Sequence, residues 1–581
     1  MKGFFGKLLR VDLTRKSYTV ETIPDAVLEQ YLGGKGLGSY LLLQHVKPGT
    51  DPLGPDNKLI FTTGAATGTA MVGNSRYGVY AKSPLTGFYA ESYSGGRVAP
   101  AMRGAGYDAV MFEGAADSPV CVEVSDGGVV FHDASALWGL DTYAAEEKAL
   151  AMVNAPGAQA LVIGPAGEKL VRFACIENNR WRSAGRAGLG AVMGAKKLKA
   201  VVFHGGAKAE IADPELLKAV AKQIREEGKD NPGVNNYRTY GTTVMVKIMN
   251  GAKAFPNRYW NRGVDPNWEN LCGDTLLEKF QVKATACPNC FMACGKHTSI
   301  TEGDYAGLEI EGPEYETIYA FGGLCSIDSL DKVAYLNDLC DRYGLDTITT
   351  GNLVGLVMEG VERGLLDATV RYGDMAAAVD LVQQIVERRG LGEILSLGIK
   401  EAAAQLKLEE LAVHVKGMEP AGYDPRVLKG MGLAYATSSR GACHLRATFY
   451  KPELAGMIDP STTEGKAALF IDFENRLTIF NTQILCVFFR DLIPWERLVE
   501  LNRALTGLNY TKDDLWAVAN RVVDATRQFN LQQGLRREDD WLPPRLFKEK
   551  INDGQNGITP EELSQMLNDY YRLRGWGSGL S

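Results

Sequence analysis

Three cysteines lie close together in Cys287-Pro-Asn-Cys290-Phe-Met-Ala-Cys294, and they are the residues of this sequence best suited to metal chemistry. The chain has only 10 cysteines in 581 residues. A cubane iron–sulfur cluster takes four thiolates, as does a structural zinc ion, so the Cys-x2-Cys-x3-Cys spacing is one ligand short. The sequence therefore predicts a site that a distant part of the chain completes.

The cysteine motif has other interpretations. Clustered cysteines can be buried apolar residues, or they can bind zinc. Zinc ribbons and fingers show a second pair of ligands, but none follows here and His297 is the only nearby imidazole. Sparse, unevenly spaced cysteines argue against disulfides. We favour an iron–sulfur cluster, with zinc as the alternative, and Cys486 as the fourth thiolate, with Cys443 and Cys325 as competitors.

Glycine and arginine recur together in the first part of the chain. Glycines expose backbone N–H groups, and guanidinium groups bind phosphate through two hydrogen bonds. None of these segments has the GxGxxG spacing of a dinucleotide site. The alternative is ordinary turns with surface arginines, but the recurrence favours a large phosphorylated cofactor. The segments are Gly73-Asn-Ser-Arg76, Ser94-Gly95-Gly96-Arg97 and Arg182-Ser-Ala-Gly185-Arg186.

Two carboxylates flank a glycine turn in Asp341-Arg-Tyr-Gly344-Leu345-Asp346. Gly344 suits the left-handed position that ends a helix, so the segment can be an ordinary helix end with solvated acids. The alternative is that Asp341 and Asp346 bind N–H donors of a heterocycle.

Glu316 and His444 are the candidate acid–base residues. Glu316 follows an aromatic residue, and burial beside such residues would raise its pKa towards neutrality and make it a usable base. His444 lies beside Cys443 and near Arg440. The ordinary alternatives are a solvent-facing acid and a structural histidine.

Composition excludes several classes of protein. The net charge is −7, with 45% hydrophobic and 23% charged residues, which is typical of a globular protein and not of a nucleic-acid-binding surface. Charges interrupt the N-terminus too early for a secretory signal. The longest apolar run, Leu477 to Phe489, is too short and too polar to span a membrane. We expect a cytoplasmic protein, whose reducing surroundings suit thiolate ligands.

The chain divides into a strand-rich part and a helical part. Residues 1 to about 205 predict mostly strands with short connections, including a hairpin over Pro119–Phe131 and a last strand at Leu198–Phe203. Asp213-Pro214 predicts a helix start, and Gly417 marks a second boundary. The fold class is α+β. Helical patterns occupy 330–341, 374–389, 391–406, 494–506 and 513–529.

These motifs and five others follow one another along the chain in the same order as in a known protein family. With them, nearly the whole chain resembles the aldehyde:ferredoxin oxidoreductases, a family of tungsten-dependent bis-pyranopterin enzymes. The others are Lys82-Ser-Pro-Leu-Thr-Gly-Phe, Ile163-Gly-Pro-Ala-Gly-Glu, Gly188-Leu-Gly-Ala-Val-Met-Gly, Ala421-Gly-Tyr-Asp-Pro-Arg426 and Tyr570-Tyr-Arg-Leu-Arg-Gly-Trp576.

The resemblance implies a β-rich N-terminal domain, residues 1–208, as a base under two mostly α-helical domains, 209–417 and 418–581, with the cofactor at their interface. It implies a [4Fe-4S] cluster on Cys287, Cys290, Cys294 and Cys486. Main-chain carbonyls near Tyr93 and Ser183 would hold a Mg²⁺ ion between the pterin phosphates. The implied cofactor-binding residues are Arg76, Tyr93, Gly95, Arg182, Ser183, Gly185, Asp341, Gly344, Leu345, Asp346, Asn481 and Leu485.

Two positions depart from the family pattern. Asn481 stands where the family often has a second pterin-binding Asp, so one pterin would lack a charged partner. Tyr335-Leu-Asn-Asp338 replaces a Glu-x-x-His motif that bridges subunits through a metal in some members, so any oligomer would lack that bridge.

The implied activity is oxidation of an aldehyde to a carboxylic acid. Glu316 would be the general base towards water, and His444 would bind the aldehyde oxygen. The electrons would leave through the cluster to ferredoxin or a small ferredoxin-like subunit, with no nucleic-acid or membrane partner. The alternatives are a related tungsten enzyme that reduces aromatic acyl-CoA thioesters, and a zinc-stabilised protein without redox chemistry. The sequence does not separate tungsten from molybdenum.

Overall fold

A six-stranded sheet begins the chain in the computed structural model, which describes residues 1–577. Its strands are β1 Lys7–Asp12, β2 Ser17–Thr22, β3 Leu59–Thr62, β4 Tyr77–Lys82, β5 Tyr89–Ser94 and β6 Ala109–Glu113. They lie in the order β2-β1-β6-β3-β4-β5. The β1–β6 pair is parallel and the other pairs are antiparallel.

A second six-stranded sheet follows, also with one parallel pair. Its strands are β7 Val120–Ser125, β8 Gly128–Asp133, β9 Gln159–Val162, β10 Ile176–Asn178, β11 Arg182–Ala184 and β12 Leu198–Phe203. The order is β11-β10-β9-β12-β7-β8, and β12 pairs in parallel with β7. The predicted hairpin is confirmed as β7–β8, and the predicted last strand is confirmed as β12.

Helices also occur in this N-terminal part, where the sequence predicted mostly strands. They are α1 Asp25–Tyr31, α2 Gly34–His45, α3 Val98–Gly104, α4 Thr142–Val153, α5 Pro165–Glu168 and α6 Leu189–Ala195. The glycine-rich start of α2 forms a helix because its glycines permit close packing. A Cβ atom on Gly38 would lie 2.5 Å from the Tyr80 ring, and one on Gly34 would lie 2.2 Å from the main-chain oxygen of Asn481.

A third, antiparallel sheet of three strands lies in the region predicted to be helical. It consists of β13 Gln281–Thr285, β14 Gly295–Ser299 and β15 Glu309–Glu311, in that order. The connection between β13 and β14 contains Cys287, Cys290 and Cys294. β13 and β15 alternate polar and apolar residues but are short, and β14, Gly-Lys-His-Thr-Ser, has no large apolar residue, so the sequence pattern of a sheet is incomplete here.

The rest of the chain is mostly helical, and the predicted helix start is confirmed: the Asp213 side chain caps α7 by accepting a hydrogen bond from the Leu216 N–H, 2.9 Å away. The predicted helix over 391–406 is divided into α15 and α16 at Gly398, which has φ +85°. The helices are α7 Pro214–Lys229, α8 Pro232–Tyr240, α9 Val244–Gly251, α10 Gly273–Lys279, α11 Tyr315–Thr317, α12 Leu330–Tyr343, α13 Thr347–Glu362, α14 Met375–Glu387, α15 Leu391–Leu395, α16 Ile399–Leu406, α17 Lys429–Thr437, α18 Tyr450–Leu454, α19 Lys466–Gln483, α20 Trp495–Thr506, α21 Lys512–Gln532, α22 Pro544–Lys548 and α23 Pro560–Arg574.

The fold is therefore α+β, with a β-rich N-terminal region and a mostly helical remainder, as the sequence predicts. The division of the helical part near residue 417 stays a prediction. Within residues 1–577, no helix combines the length and apolarity needed to cross a bilayer.

Candidate functional site

Four cysteines from two distant segments line one cavity of about 320 Å³, which we call the cluster cavity. Cys287, Cys290 and Cys294 come from the β13–β14 connection, and Cys486 comes from the segment after α19. The volume corresponds to roughly ten water molecules, so it is much larger than a single metal ion requires.

The end of α19 brings Cys486 to the cavity. Ile484 ends the helix in a left-handed conformation, with φ 54°, and the Leu485 N–H donates back to the Phe480 carbonyl, 2.9 Å away. The chain then turns towards the first sheet, where the Cys486 N–H donates to the Gly73 carbonyl at 2.8 Å. Cys486 is thus held by both the helical part and the N-terminal part.

The two competing cysteines lie elsewhere. Cys325 is fully buried, and its thiol donates to the carbonyls of Ala320 and Gly351 at 3.4 and 3.3 Å. The Cys443 sulfur lies 2.9 Å from Nη2 of Arg440. Burial alone would raise the pKa of Cys443, but Arg440 and then Arg446 outweigh it and lower the pKa to about 7. Neither thiol lines the cluster cavity.

The cavity provides hydrogen-bond donors for sulfur. Nη1 of Arg76 lies 3.7 Å from the Cys486 sulfur, and the Gly96 N–H donates to the Cys287 sulfur at 3.3 Å. A Cβ atom on Gly95 would lie 3.1 Å from the same sulfur, so glycine keeps this approach open. Such donors stabilise thiolates and tune an iron–sulfur cluster.

The four thiols line a cavity with room for more than one metal ion. A cubane cluster, in which each of four thiolates binds its own iron, is compatible with this lining. Zinc stays the alternative that the sequence left open.

The glycine–arginine segments meet at the same cavity. Arg76, Tyr93, Gly95, Arg182 and Ser183 all line it. Arg76 Nη2 donates to the Tyr93 carbonyl at 3.3 Å, which joins the first of these segments to the strand that leads into the second.

Two further contacts anchor the segment that contains Arg182 and Gly185. The Arg182 guanidinium pairs with Glu311 of β15, and the Gly185 carbonyl accepts a hydrogen bond from the Cys175 thiol, 3.0 Å away. The structure therefore brings together the segments that the sequence marked as phosphate-binding, although the third is distant from the first two in the sequence.

Asp341 and Asp346 have different environments. Gly344 caps α12 with φ 74°, as predicted, and Leu345 continues the turn by donating to Cys340 at 2.8 Å. The Asp341 carboxylate accepts from Asn337 Nδ2 at 2.8 Å, and burial raises its pKa well above the usual range.

Asp346 is already bound by the protein. Its carboxylate accepts from the Ile348 N–H, the Thr349 hydroxyl and Arg186 Nε, each 2.9 Å away. A carboxylate has about four lone-pair positions, so one remains. Asp341, with one protein donor to its carboxylate, is the freer of the two to bind a heterocycle.

Asn481 and Leu485 lie at the C-terminal end of α19, on either side of the turn that leads to Cys486. The Asn481 main chain packs against Gly34 of α2, and Leu485 is 3% exposed. Asn481, which stands where the family often has a second pterin-binding Asp, therefore lies next to the segment that contains Cys486.

Glu316 and His444 face each other across two distant segments. His444 Nε2 lies 3.5 Å from Glu316 Oε1, and the Gly422 N–H holds the other carboxylate oxygen at 3.1 Å. The His444 ring stacks on Tyr423, with centroids 5.5 Å apart. Glu316 lies in the short helix α11, which begins at Tyr315 and continues as a π-helix over Ile318–Gly323, a form often found at functional sites.

Both side chains are shifted towards their neutral forms. Burial raises the pKa of Glu316 to about 8. Burial, followed by the positive charges of Arg440 and Arg186, lowers the pKa of His444 well below its usual value. Groups of this kind, shifted by burial and placed together, are typical of acid–base sites.

A buried cluster of charges behind His444 was missed by the sequence analysis. Glu91 of β5 pairs with Lys35 at 3.1 Å and with Arg446, and accepts from the Tyr93 hydroxyl at 2.6 Å. Burial opposes ionisation of Glu91, but Arg446 and then Lys35 outweigh it and lower its pKa to about 2. Two features of the sequence could have indicated this cluster. One is an acid, Glu91, within a strand of buried residues, and the other is the pair of arginines, Arg440 and Arg446, on either side of His444.

Arg186 of the N-terminal region contacts two separate segments of the helical part. Besides Asp346, it donates to the main-chain oxygen of Glu419 at 3.0 Å, and its Nη2 lies 3.4 Å from the Glu419 carboxylate. Glu419 is fully buried, and burial raises its pKa to about 7. Glu419 was also missed by the sequence analysis.

Replacing Arg186 by methionine should strongly destabilise the protein, because two buried carboxylates lose their positive partner. We expect the free energy of unfolding to fall by about 3–5 kcal/mol, measured by denaturant unfolding of anaerobic protein. Arg572→Met, which removes an exposed pair with Asp569, is the control and should change little. A fall in Arg186→Met no larger than the control's would contradict the assignment.

Several buried polar atoms around Arg186 and His444 lack a hydrogen-bond partner within residues 1–577. They are Glu316 Oε1, Glu419 Oε1, Arg440 Nε and His444 Nδ1. Buried polar groups are usually satisfied, so these atoms are suited to a bound polar group with donors and acceptors, such as a pterin.

The chain is similar to known proteins along nearly its whole length. The sequence model described as "Aldehyde ferredoxin oxidoreductase, N-terminal domain" matches residues 8–205, and the model described as "Aldehyde ferredoxin oxidoreductase, domains 2 & 3" matches residues 219–580. The tungsten-containing aldehyde ferredoxin oxidoreductase of Pyrococcus horikoshii is 35% identical over 591 aligned positions, which cover 99% of this chain and 97% of the relative.

Proteins with lower sequence identity to this chain are named for other reactions. The WOR-like subunit of an aliphatic sulfonate oxidoreductase from Pyrococcus furiosus is 29% identical, with 99% of this chain and 95% of the relative covered. The solved BamBC complex of benzoyl coenzyme A reductase matches with a TM-score of 0.85 and 24% identity, over 99% of this chain and 95% of that one. At this identity the structural match supports the fold alone.

Proposed function

The chain belongs to the aldehyde ferredoxin oxidoreductase family of tungsten enzymes, and we propose that it oxidises aldehydes to carboxylic acids at a tungsten bis-pterin centre. The observation that carries this proposal is the joint position of the acid–base pair and the cluster cavity. Glu314 lines the cluster cavity, and Glu316, two residues further along, faces His444. One short segment therefore connects the site of chemistry with the site of electron transfer.

The cofactors would be held by residues from all three parts of the chain. The four cysteines would bind a [4Fe-4S] cluster, and Arg76, Arg182 and the main chain near Tyr93 and Ser183 would hold the pterin phosphates with a Mg²⁺ ion. Asp341 and Asn481 would each bind a pterin ring. The tungsten centre supplies two-electron redox chemistry.

The residues of the chain handle the proton and the substrate. Aldehyde and water yield the carboxylic acid, two protons and two electrons. In its ionised form Glu316 takes a proton from the attacking water, while the Gly422 N–H holds its second oxygen in place. A neutral His444 with its proton on Nδ1 donates to the aldehyde oxygen and stabilises the charge that develops there.

The cysteines Cys287, Cys290, Cys294 and Cys486 would hold a cluster able to carry single electrons, and the acceptor would be ferredoxin or a small ferredoxin-like subunit. We place the protein in the cytoplasm, where thiolate ligands remain reduced. Any oligomer would lack the Glu-x-x-His bridge, because Tyr335 and Asp338 occupy those positions.

Anaerobically purified protein tests this proposal directly. We expect tungsten, about four irons per chain and little zinc by elemental analysis, and reduction of a viologen dye that depends on aldehyde. Protein that holds zinc without tungsten would contradict it. So would tungsten protein that leaves aldehydes untouched but reduces aromatic acyl-CoA thioesters, which would support the alternative reaction.

A further inference from the structure

Helix α7 carries its positive charges on one side. Lys218, Lys222, Arg225 and Lys229 are all exposed and follow at intervals of four, three and four residues. With 3.6 residues per turn, they fall within a sector of about 60°. We call these four residues the basic stripe. It stands out because the chain as a whole has a net charge of −7.

The acids of α7 flank this stripe. By the same helical geometry, Glu215 and Glu226 lie within roughly 40° of its edge, and Glu227 lies further round the helix. Glu227 pairs with Arg497 at 2.7 Å, and Glu226 lies 3.8 Å from Lys222. Glu215 pairs with Lys218 at 2.8 Å. These exposed pairs weaken the positive potential of the stripe but do not cover it.

The basic stripe borders the connection that carries three of the four thiols. Arg225 Nη2 donates to Asn289 Oδ1 at 2.7 Å, between Cys287 and Cys290. A Cβ atom on Gly228 would lie 2.5 Å from the Phe291 ring. Arg238 of α8 adds another cation, which donates to the Phe291 carbonyl at 3.3 Å. Two cations, Arg225 and Arg238, therefore contact the connection that carries three of the four thiols lining the cluster cavity.

A groove of about 370 Å³ continues this surface beside the loop that contains Ala70. Asn289 connects the two features, since its Nδ2 donates to the Ala70 carbonyl at 3.2 Å. Among residues 1–577, the charged side chains that line the groove are Arg103, Lys208 and Lys218, and all three are cationic.

We propose that the basic stripe, with Lys208 and the adjoining groove, is the docking surface for a small acidic iron–sulfur protein that accepts the electrons. This inference rests on the proposed function, because it requires a cluster in the cavity. Each transfer takes one electron from that cluster and reduces one oxidised cluster of the partner, so two transfers follow each aldehyde. Opposite charges would steer the two proteins into contact next to Cys287 and Cys290.

Reversing three charges that do not touch the cysteine connection tests the docking surface. The holoenzyme variant Lys218→Glu/Lys222→Glu/Lys229→Glu should reduce an acidic two-cluster ferredoxin at least about tenfold more slowly at low ionic strength, since steering raises association rates by 10–10³-fold. The difference should shrink as salt is added. Its turnover with propyl viologen sulfonate, which has no net charge, should stay within about twofold of the unmodified enzyme.

Lys148→Glu/Lys400→Glu/Lys550→Glu makes the same change in net charge at exposed positions on other elements, and it should leave ferredoxin reduction unchanged. Equal ferredoxin rates in both triple variants would overturn the docking surface. Calorimetric titration of ferredoxin into the proteins gives a second readout without aldehyde: the stripe variant should bind at least about tenfold more weakly, and unchanged affinity would also overturn it. Loss of aldehyde oxidation with the neutral dye in every protein would instead contradict the proposed reaction.

Discussion

Replacing Glu316 by glutamine should lower kcat for aldehyde oxidation by about 10²-fold or more, while the tungsten and iron contents stay the same. Loss of a positioned general base has an effect of this size. Glutamine is nearly isosteric, and its amide oxygen can still accept the Gly422 N–H that now bonds to Glu316 at 3.1 Å. The variant therefore removes the proton acceptor with little change to the surrounding structure.

The dependence of the rate on pH provides a second measurement of the same residue. Burial raises the pKa of Glu316 to about 8, and only the ionised form can accept a proton from water. In the unmodified enzyme kcat/KM should therefore rise with pH, with an apparent pKa near 8, and level off above it. The residual activity of Glu316→Gln should lack this rise.

Glu309→Gln is a suitable control, because it makes the same chemical change at an exposed position on β15. It should keep both the rate and the pH profile of the unmodified enzyme. Near-normal aldehyde oxidation by Glu316→Gln, or a profile that still rises near pH 8 in that variant, would show that another group accepts the proton.

Much of the fold could be predicted from local patterns. Asp213-Pro214 starts α7, Gly344 ends α12, and the β7–β8 hairpin forms where two β-branched runs flank a glycine turn. Each of these depends on neighbours in the sequence. The start of α2 could not be read in this way, because its glycines are selected by contacts with Tyr80 and Asn481, which are distant in the sequence. The strands β13–β15 could not be predicted for another reason: β14 has no large apolar residue, and β13 and β15 are too short to show a clear alternation.

The candidate site shows the same limit. Its cysteines, glycines and arginines could be recognised by their type and spacing. Spacing alone, however, did not exclude Cys443 and Cys325 as the fourth ligand. The structure separates them, because a helix end at Ile484 and a hydrogen bond to Gly73 direct Cys486 into the cavity. Glu91 and Glu419 were missed because a buried acid is recognisable only by its partners. Arg446 and Arg186, which supply these partners, come from distant parts of the chain.

Replacing Cys486 by serine should remove or destabilise the iron–sulfur cluster. The four thiols line one cavity, and a hydroxyl is a far poorer iron ligand than a thiolate, so we expect about one iron or more per chain to be lost. Iron analysis and the visible absorbance that bleaches on reduction would measure this. Aldehyde-dependent reduction of ferredoxin should be lost with the cluster. Apart from these four cysteines, no thiol of the described residues lines the cavity and could replace Cys486.

Cys325→Ser is the matched control for this variant. The Cys325 thiol donates to the carbonyls of Ala320 and Gly351, and a serine hydroxyl can make the same hydrogen bonds, so this variant should keep its full iron content. If Cys325→Ser lost the cluster and Cys486→Ser kept it, the assignment of the fourth thiolate to Cys486 would be wrong. Full iron content and unchanged spectra in Cys486→Ser would also contradict the assignment. Cys486 would then be a structural residue, and the fourth iron ligand would come from elsewhere.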